Sequence, residues 1–175
     1  MYRYLAAVIA TLMAFSAGKL LADPAARPTD PQIAHIAYTA GVLDVEAGKQ
    51  ALDKSQNKDV RAFAQRMVGD HTSVNDQALA LVKKLNVTPE DNPTSQSLTK
   101  AADAKRQELA KLNGADFDKA YVDNEVAYHK SVNGALSSTL IPDAQNAELK
   151  ALLQSGLKLF QAHQKHAEQL AAQLH

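Results

Sequence analysis

The sequence predicts an all-α protein, a four-helix bundle with a long helical crossover between its second and third helices. Three observations carry this reading. Apolar residues recur at three- and four-residue steps along four long stretches. Alanine, leucine, lysine and glutamine are common, while there are only 7 glycines and no tryptophan. That composition favours helix over sheet. The periodic stretches are separated by clusters of proline, asparagine, serine and glycine, which break helices.

The first predicted helix opens at Asp30-Pro31, a capping residue followed by a proline in the first turn. Ile33, Ile36, Ala40, Leu43, Ala47 and Ala51 mark its apolar face. Glu46 lies one turn from Leu43, on the border of that face, and His35 lies beside the stripe as a surface residue. The break Ser55-Gln56-Asn57 is long enough only for an antiparallel return.

The second helix is expected from Lys58 to Leu85, with Val60, Phe63, Met67, His71, Val74 and Leu81 on its stripe. Asp70 stands about 100° round from His71 and is expected to pair with Arg66 in solvent. Residues 87–97 read as loop, and a lesser helix is expected over residues 98–112. The third helix begins near Asp116 and carries Phe117, Tyr121, Val122, Val126, His129 and Val132 inward, with Glu125 one turn before His129. Ile141-Pro142-Asp143 is expected to break the chain. The fourth helix runs from Asn146 to the C-terminus, with Leu149, Leu153, Phe160, His163, Ala167 and Leu170 on its stripe and His166 on a neighbouring edge.

The N-terminus reads as an export signal. Arg3 supplies a short basic region, and the apolar run from Leu5 to Ala17 is shorter than the roughly 20 residues of a membrane span. Residues 1–22 are expected to be a signal peptide cleaved after Ala22, with Ala17 and Gly18 as other cleavage positions and an uncleaved anchor as the alternative. Residues 23–29 form a linker, and residues 30–175 form one helical domain. The expected location is periplasmic or otherwise exported, with no stable membrane span after cleavage. The chain has no cysteine, so disulfides and thiolate chemistry are excluded. Charge is balanced, 19 basic against 19 acidic side chains, so nothing points to nucleic acid.

Polar groups on apolar stripes are costly unless they are paired. With a crossover of this length, the second and third helices run parallel. His71 and His129 then sit at similar height, Glu46 lies near that level, and His163 falls about one turn (5 Å) away. Three imidazoles and a carboxylate suit zinc, copper, nickel or iron. The expected metal residues are therefore Glu46, His71, His129 and His163, with Glu125 and His166 as outer partners. The rival reading is a non-enzymatic structural or partner-binding envelope protein whose histidines are hydrogen-bonded core residues. No Gly-x-Ser-x-Gly elbow, His-Glu-x-x-His motif or phosphate-binding glycine loop occurs, so no catalytic motif can be named.

The segments "RAFAQRMVGDHT" (61–72), "FDKAYVDNEVAYHKSV" (117–132) and "LKLFQAHQKHAEQL" (157–170), with "YTAGVLDVEAGKQAL" (38–52) before them, resemble a known family. It is domain of unknown function 4142, a family of bacterial exported or membrane-associated proteins assigned a ferritin-like helical fold. The resemblance covers residues 30–170 and implies Glu46, His71, His129 and His163 as the polar centre. It brings no established reaction. Di-iron enzymes of ferritin-like fold use Glu-x-x-His pairs. Here Val68, Val126 and Phe160 stand three residues before the three histidines, which favours a mononuclear histidine-rich site or no metal.

Overall fold

The computed structural model describes residues 27–174. The expected leader and residues 23–26 of the linker lie outside the described residues. The helices are α1 (Asp30–Lys54), α2 (Lys58–Lys84), α3 (Pro93–Ala110), α4 (Gly114–Ala135), the short α5 (Ile141–Asp143) and α6 (Ala147–Leu174). A π-helical turn, Leu136–Leu140, joins α4 to α5.

The breaks read in the sequence serve as helix caps. Asn57 Oδ1 accepts from the backbone N–H groups of Asp59 and Val60 at the start of α2. Asn92 does the same for Thr94 and Ser95 in α3, and Asn146 for Glu148 and Leu149 in α6. Each satisfies donors that a helix start leaves unpaired. Asp30 is not the cap of α1, since that position belongs to Thr29, whose N–H donates to Gln32 Oε1. The Asp30 carboxylate instead accepts from the N–H groups of Gln145 and Asn146, both at 2.8 Å, and ties the start of α6 to the start of α1.

One expectation is corrected at Pro142. Helical turns run on through Ile141–Pro142–Asp143, and the chain leaves the helix only at Ala144. Proline lacks an N–H and crowds the carbonyl four residues back. The widened π turn just before it relieves both demands.

α1 and α2 form one antiparallel hairpin, and α4 pairs with α6 to form the other. The Ala47–Ala51 end of α1 packs with the start of α2, the start of α4 and the end of α6 around Phe63, Met67, Phe117 and Tyr121. At the opposite end, Ile33 and Ile36 of α1 meet Leu136, Leu140, Leu149 and Leu153. α2 and α4 are therefore parallel, as the crossover requires. α3 makes that crossover along α1: Asn92 Nδ2 donates to Gln32 O at one end, and Lys54 Nζ donates to Ala110 O at the other.

Gly41 and Gly48 of α1 face α2 closely. A Cβ at Gly41 would lie 2.2 Å from Asn75 Oδ1, and one at Gly48 would lie 2.9 Å from Val68 Cγ2. These contacts fix how α1 is rotated about its axis. That rotation decides which of its carboxylates points inward.

Candidate metal centre

Between the two apolar ends lies a layer of buried polar side chains: Asp44 from α1, His71 from α2, Glu125 and His129 from α4, and His163 from α6. Each is at most 3% exposed. The imidazole ring centroids of His71, His129 and His163 are 5.3 to 5.6 Å apart. One potential ligand atom from each lies within 4.8 Å of the others, and the same holds for Asp44, Glu125 and His129. Asp44 Oδ2 stands 3.3 Å from His71 Nε2 and 3.5 Å from His129 Nε2, joining the two groups.

Each ring is held by a different device. His129 Nδ1–H donates to the Glu125 carbonyl oxygen at 3.0 Å, so its Nε2 lone pair is free to face Asp44. His163 Nε2–H donates to Asp70 Oδ2 at 2.9 Å, and its Nδ1 is left buried without a partner. The ring of His71 stacks on Phe160, with centroids 4.5 Å apart and planes at 12°. Fixing one ring nitrogen so that the other is free is how proteins orient imidazole ligands.

Burial sets the protonation of this layer. It drives the Asp44 carboxyl up to about 8. It also raises Glu125 well above the usual carboxylate range, with the neighbouring Asp44 adding to the effect. His71 is pushed down to about 2, by burial first and then by His129 and His163. His129 falls to about 4, again chiefly through burial, although its bond to the Glu125 carbonyl opposes the fall. His163 is lowered by burial against the pull of Asp70. At neutral pH the layer thus holds uncharged imidazoles and protonated carboxyls. Its orphaned atoms include both Asp44 oxygens, both His71 nitrogens, His129 Nε2 and Glu125 Oε2. Buried polar groups without partners are rare in native proteins and call for an explanation.

The structure gathers His71, His129 and His163, three of the residues singled out in the sequence, and brings Glu125 in as an inward carboxylate beside His129. It does not bring Glu46 there. Glu46 Oε2 pairs with Arg106 Nη1 of α3 at 2.6 Å, on the half-exposed outer side of α1. The inward carboxylate of α1 is Asp44. Its signal was present, because Gly41, Asp44 and Gly48 share a face at steps of three and four. The many alanines of α1 made that face too broad to place by periodicity. Asp70 does not pair with Arg66 in solvent as expected, but reaches across to His163. His166 lies one turn beyond His163 and packs edge-on against Phe63, with centroids 5.1 Å apart, outside the cluster. His35 is half-buried beside Asp91 near the start of α3, far along α1 from Asp44.

A family model described as a domain of unknown function, DUF4142, matches residues 16–170. The chain belongs to the DUF4142 family. Among solved structures, a DUF305 protein of Streptomyces coelicolor is similar in fold, with a TM-score of 0.70. The identity is 12%, and the match covers 82% of this chain and 91% of that one. At that identity the likeness is one of fold. No curated protein matches this DUF4142 chain.

Proposed function

We propose that this DUF4142 chain is an exported ferritin-like bundle that holds a divalent transition metal ion through His71, His129 and His163, with Asp44 and Glu125 as carboxylate ligands. One observation carries the proposal: five buried ligand-type side chains from four helices form two triads that share His129, and seven of their polar atoms have no partner. A cation would bind one nitrogen of each imidazole and an oxygen of each carboxyl, leaving the second His71 nitrogen outside its shell. It would take the free imidazole lone pairs and displace protons from carboxyls that have no positive neighbour. Nitrogen and oxygen donors without thiolate suit zinc, copper(II), nickel or iron. Zinc–nitrogen bonds of about 2.1 Å set tetrahedral ligands about 3.4 Å apart. Small ring rotations would therefore close the present spacing. Export draws support from the leader-like N-terminus and from the neighbouring DUF305 protein, which is described as secreted. Among the described residues, no helix is long and apolar enough to cross a membrane. A role in protecting the envelope against metal or oxidative stress fits such a site.

The proposal is tested by metal analysis of untagged protein and by titration of the apo form with zinc, copper, nickel and iron(II). One equivalent should bind, and His71→Ala and His129→Ala should lose it while keeping their helical circular dichroism. Folded protein that retains none of these metals would end the proposal. It would leave the rival reading, in which the Asp44–His71 approach is part of a purely structural polar core.

A further inference from the structure

On one side of the polar layer the bundle is not filled. A cavity of about 790 Å³ runs from Asp44, His71 and His129 towards the N-terminal end of α1. Its volume is in the range of sites for small organic molecules. Its walls are aliphatic and largely small, with Ala37, Val74, Ala78, Val82, Val132 and Leu153 on four helices. Several of these, including Val74, Val82 and Val132, pack against the apolar cluster at that end yet keep part of their surface exposed. From His71 to Leu81 the cavity follows α2 for about 15 Å at 1.5 Å per residue, the span of an extended alkyl chain of medium length. Its exposed lining residues are Arg27, Pro93 and Thr94 at the end away from His71, and Ser131, Ala135 and Thr139 along α4 and the π turn that follows it.

The two ends differ in chemistry. Arg27, at the outer end, is the only cationic side chain lining the cavity among the described residues. The inner end has no cationic side chain, but it has the orphaned atoms of Asp44 and His71. A charged head group there would be buried unpaired, whereas a hydroxyl can donate and accept at once. We propose that the cavity binds a linear aliphatic amphiphile with one uncharged oxygen head. The head sits against Asp44 and His71, and the tail runs out between α2 and α6 towards Arg27. This inference rests on the cavity and not on a bound metal, so it is measured on metal-free protein.

The probes are 1-decanol, decane and decanoate, titrated calorimetrically into the metal-free chain. One decanol should bind per chain, at least about tenfold more tightly than decane or decanoate, the worth of a buried hydrogen bond. Ala78→Phe, which fills the tail path, should abolish binding and leave the melting temperature unchanged or higher. Val74→Phe is the second filling variant should the first misfold. His71→Phe should reduce the preference of decanol over decane. Absence of saturable decanol binding, equal binding of decane or decanoate, or full binding by a folded filling variant would each overturn the proposal. Because every titration uses metal-free protein, these outcomes are separable from the test of metal binding.

Discussion

The two ends of the bundle are built to different standards. At one end Val60, Phe63, Met67, Phe117, Tyr121 and Val122 are all fully buried, and the rings of Phe63 and Phe117 both pack against Tyr121. At the other end Val74, Leu81, Val82 and Val132 line a cavity and stay partly exposed. The buried histidine and carboxyl layer marks the boundary. Close packing at one end supplies stability, and the open end gives the polar layer a route to solvent. A bundle packed solid at both ends would hold the same five side chains but seal them off.

The largest effect that can test this contrast is in the packed end. Phe63→Ala should destabilise the protein by about 3–5 kcal/mol in urea unfolding, and Leu81→Ala in the open end by less than about 1.5 kcal/mol. Equal losses would break the distinction.

The boundary itself is probed next through Asp70, whose carboxylate holds His163 from the half-exposed side. Asp70→Asn should weaken metal binding by about 10–100-fold while leaving the fold intact. Unchanged affinity would show that His163 needs no such hold.

The boundary should also give the metal-free protein an unusual pH dependence. The folded Asp44 carboxyl titrates near 8, above its ordinary value of 3.8. Its contribution is therefore fully present below pH 3.8 and is lost as pH rises towards 8. The buried histidines act oppositely. His71 and His129 fall from 6.5 to about 2 and about 4, so their contribution is present above pH 6.5 and is lost on acidification. Above pH 7 the carboxyl effect stands alone. Stability should drop by about 1.4 kcal/mol per pH unit for each retained proton. Asp44→Asn should make this slope shallower by one proton's share, leaving that of Glu125, in denaturation curves at pH 7 and 8, and metal binding near pH 7 should release protons measurable in buffers of different ionisation enthalpy. A flat wild-type curve would mean that Asp44 is already ionised.

The smallest effect belongs to the outer face of α1. Glu46→Gln should leave metal content unchanged and cost less than about 1 kcal/mol, since its partner Arg106 is itself solvent-accessible. Loss of metal in this variant would return Glu46 to the centre.

The sequence by itself determined the order of the helices, the antiparallel hairpins and the parallel run of α2 and α4, although α3 opens at Pro93, inside the stretch read as loop. Those follow from local periodicity, caps and the length of the crossover. It also placed His71 and His129 at one level and His163 about one turn (5 Å) away, because each interrupts an otherwise apolar stripe. Only the tertiary structure decided which carboxylates join them. Glu46 and Asp44 differ by two residues on a helix rich in alanine and glycine. The close approach of Gly41 and Gly48 to α2 sets the rotation that turns Asp44 inward and Glu46 towards Arg106. The reach of Asp70 across to His163 and the cavity were equally hidden. Both arise from the spacing between helices, which one-dimensional periodicity does not encode.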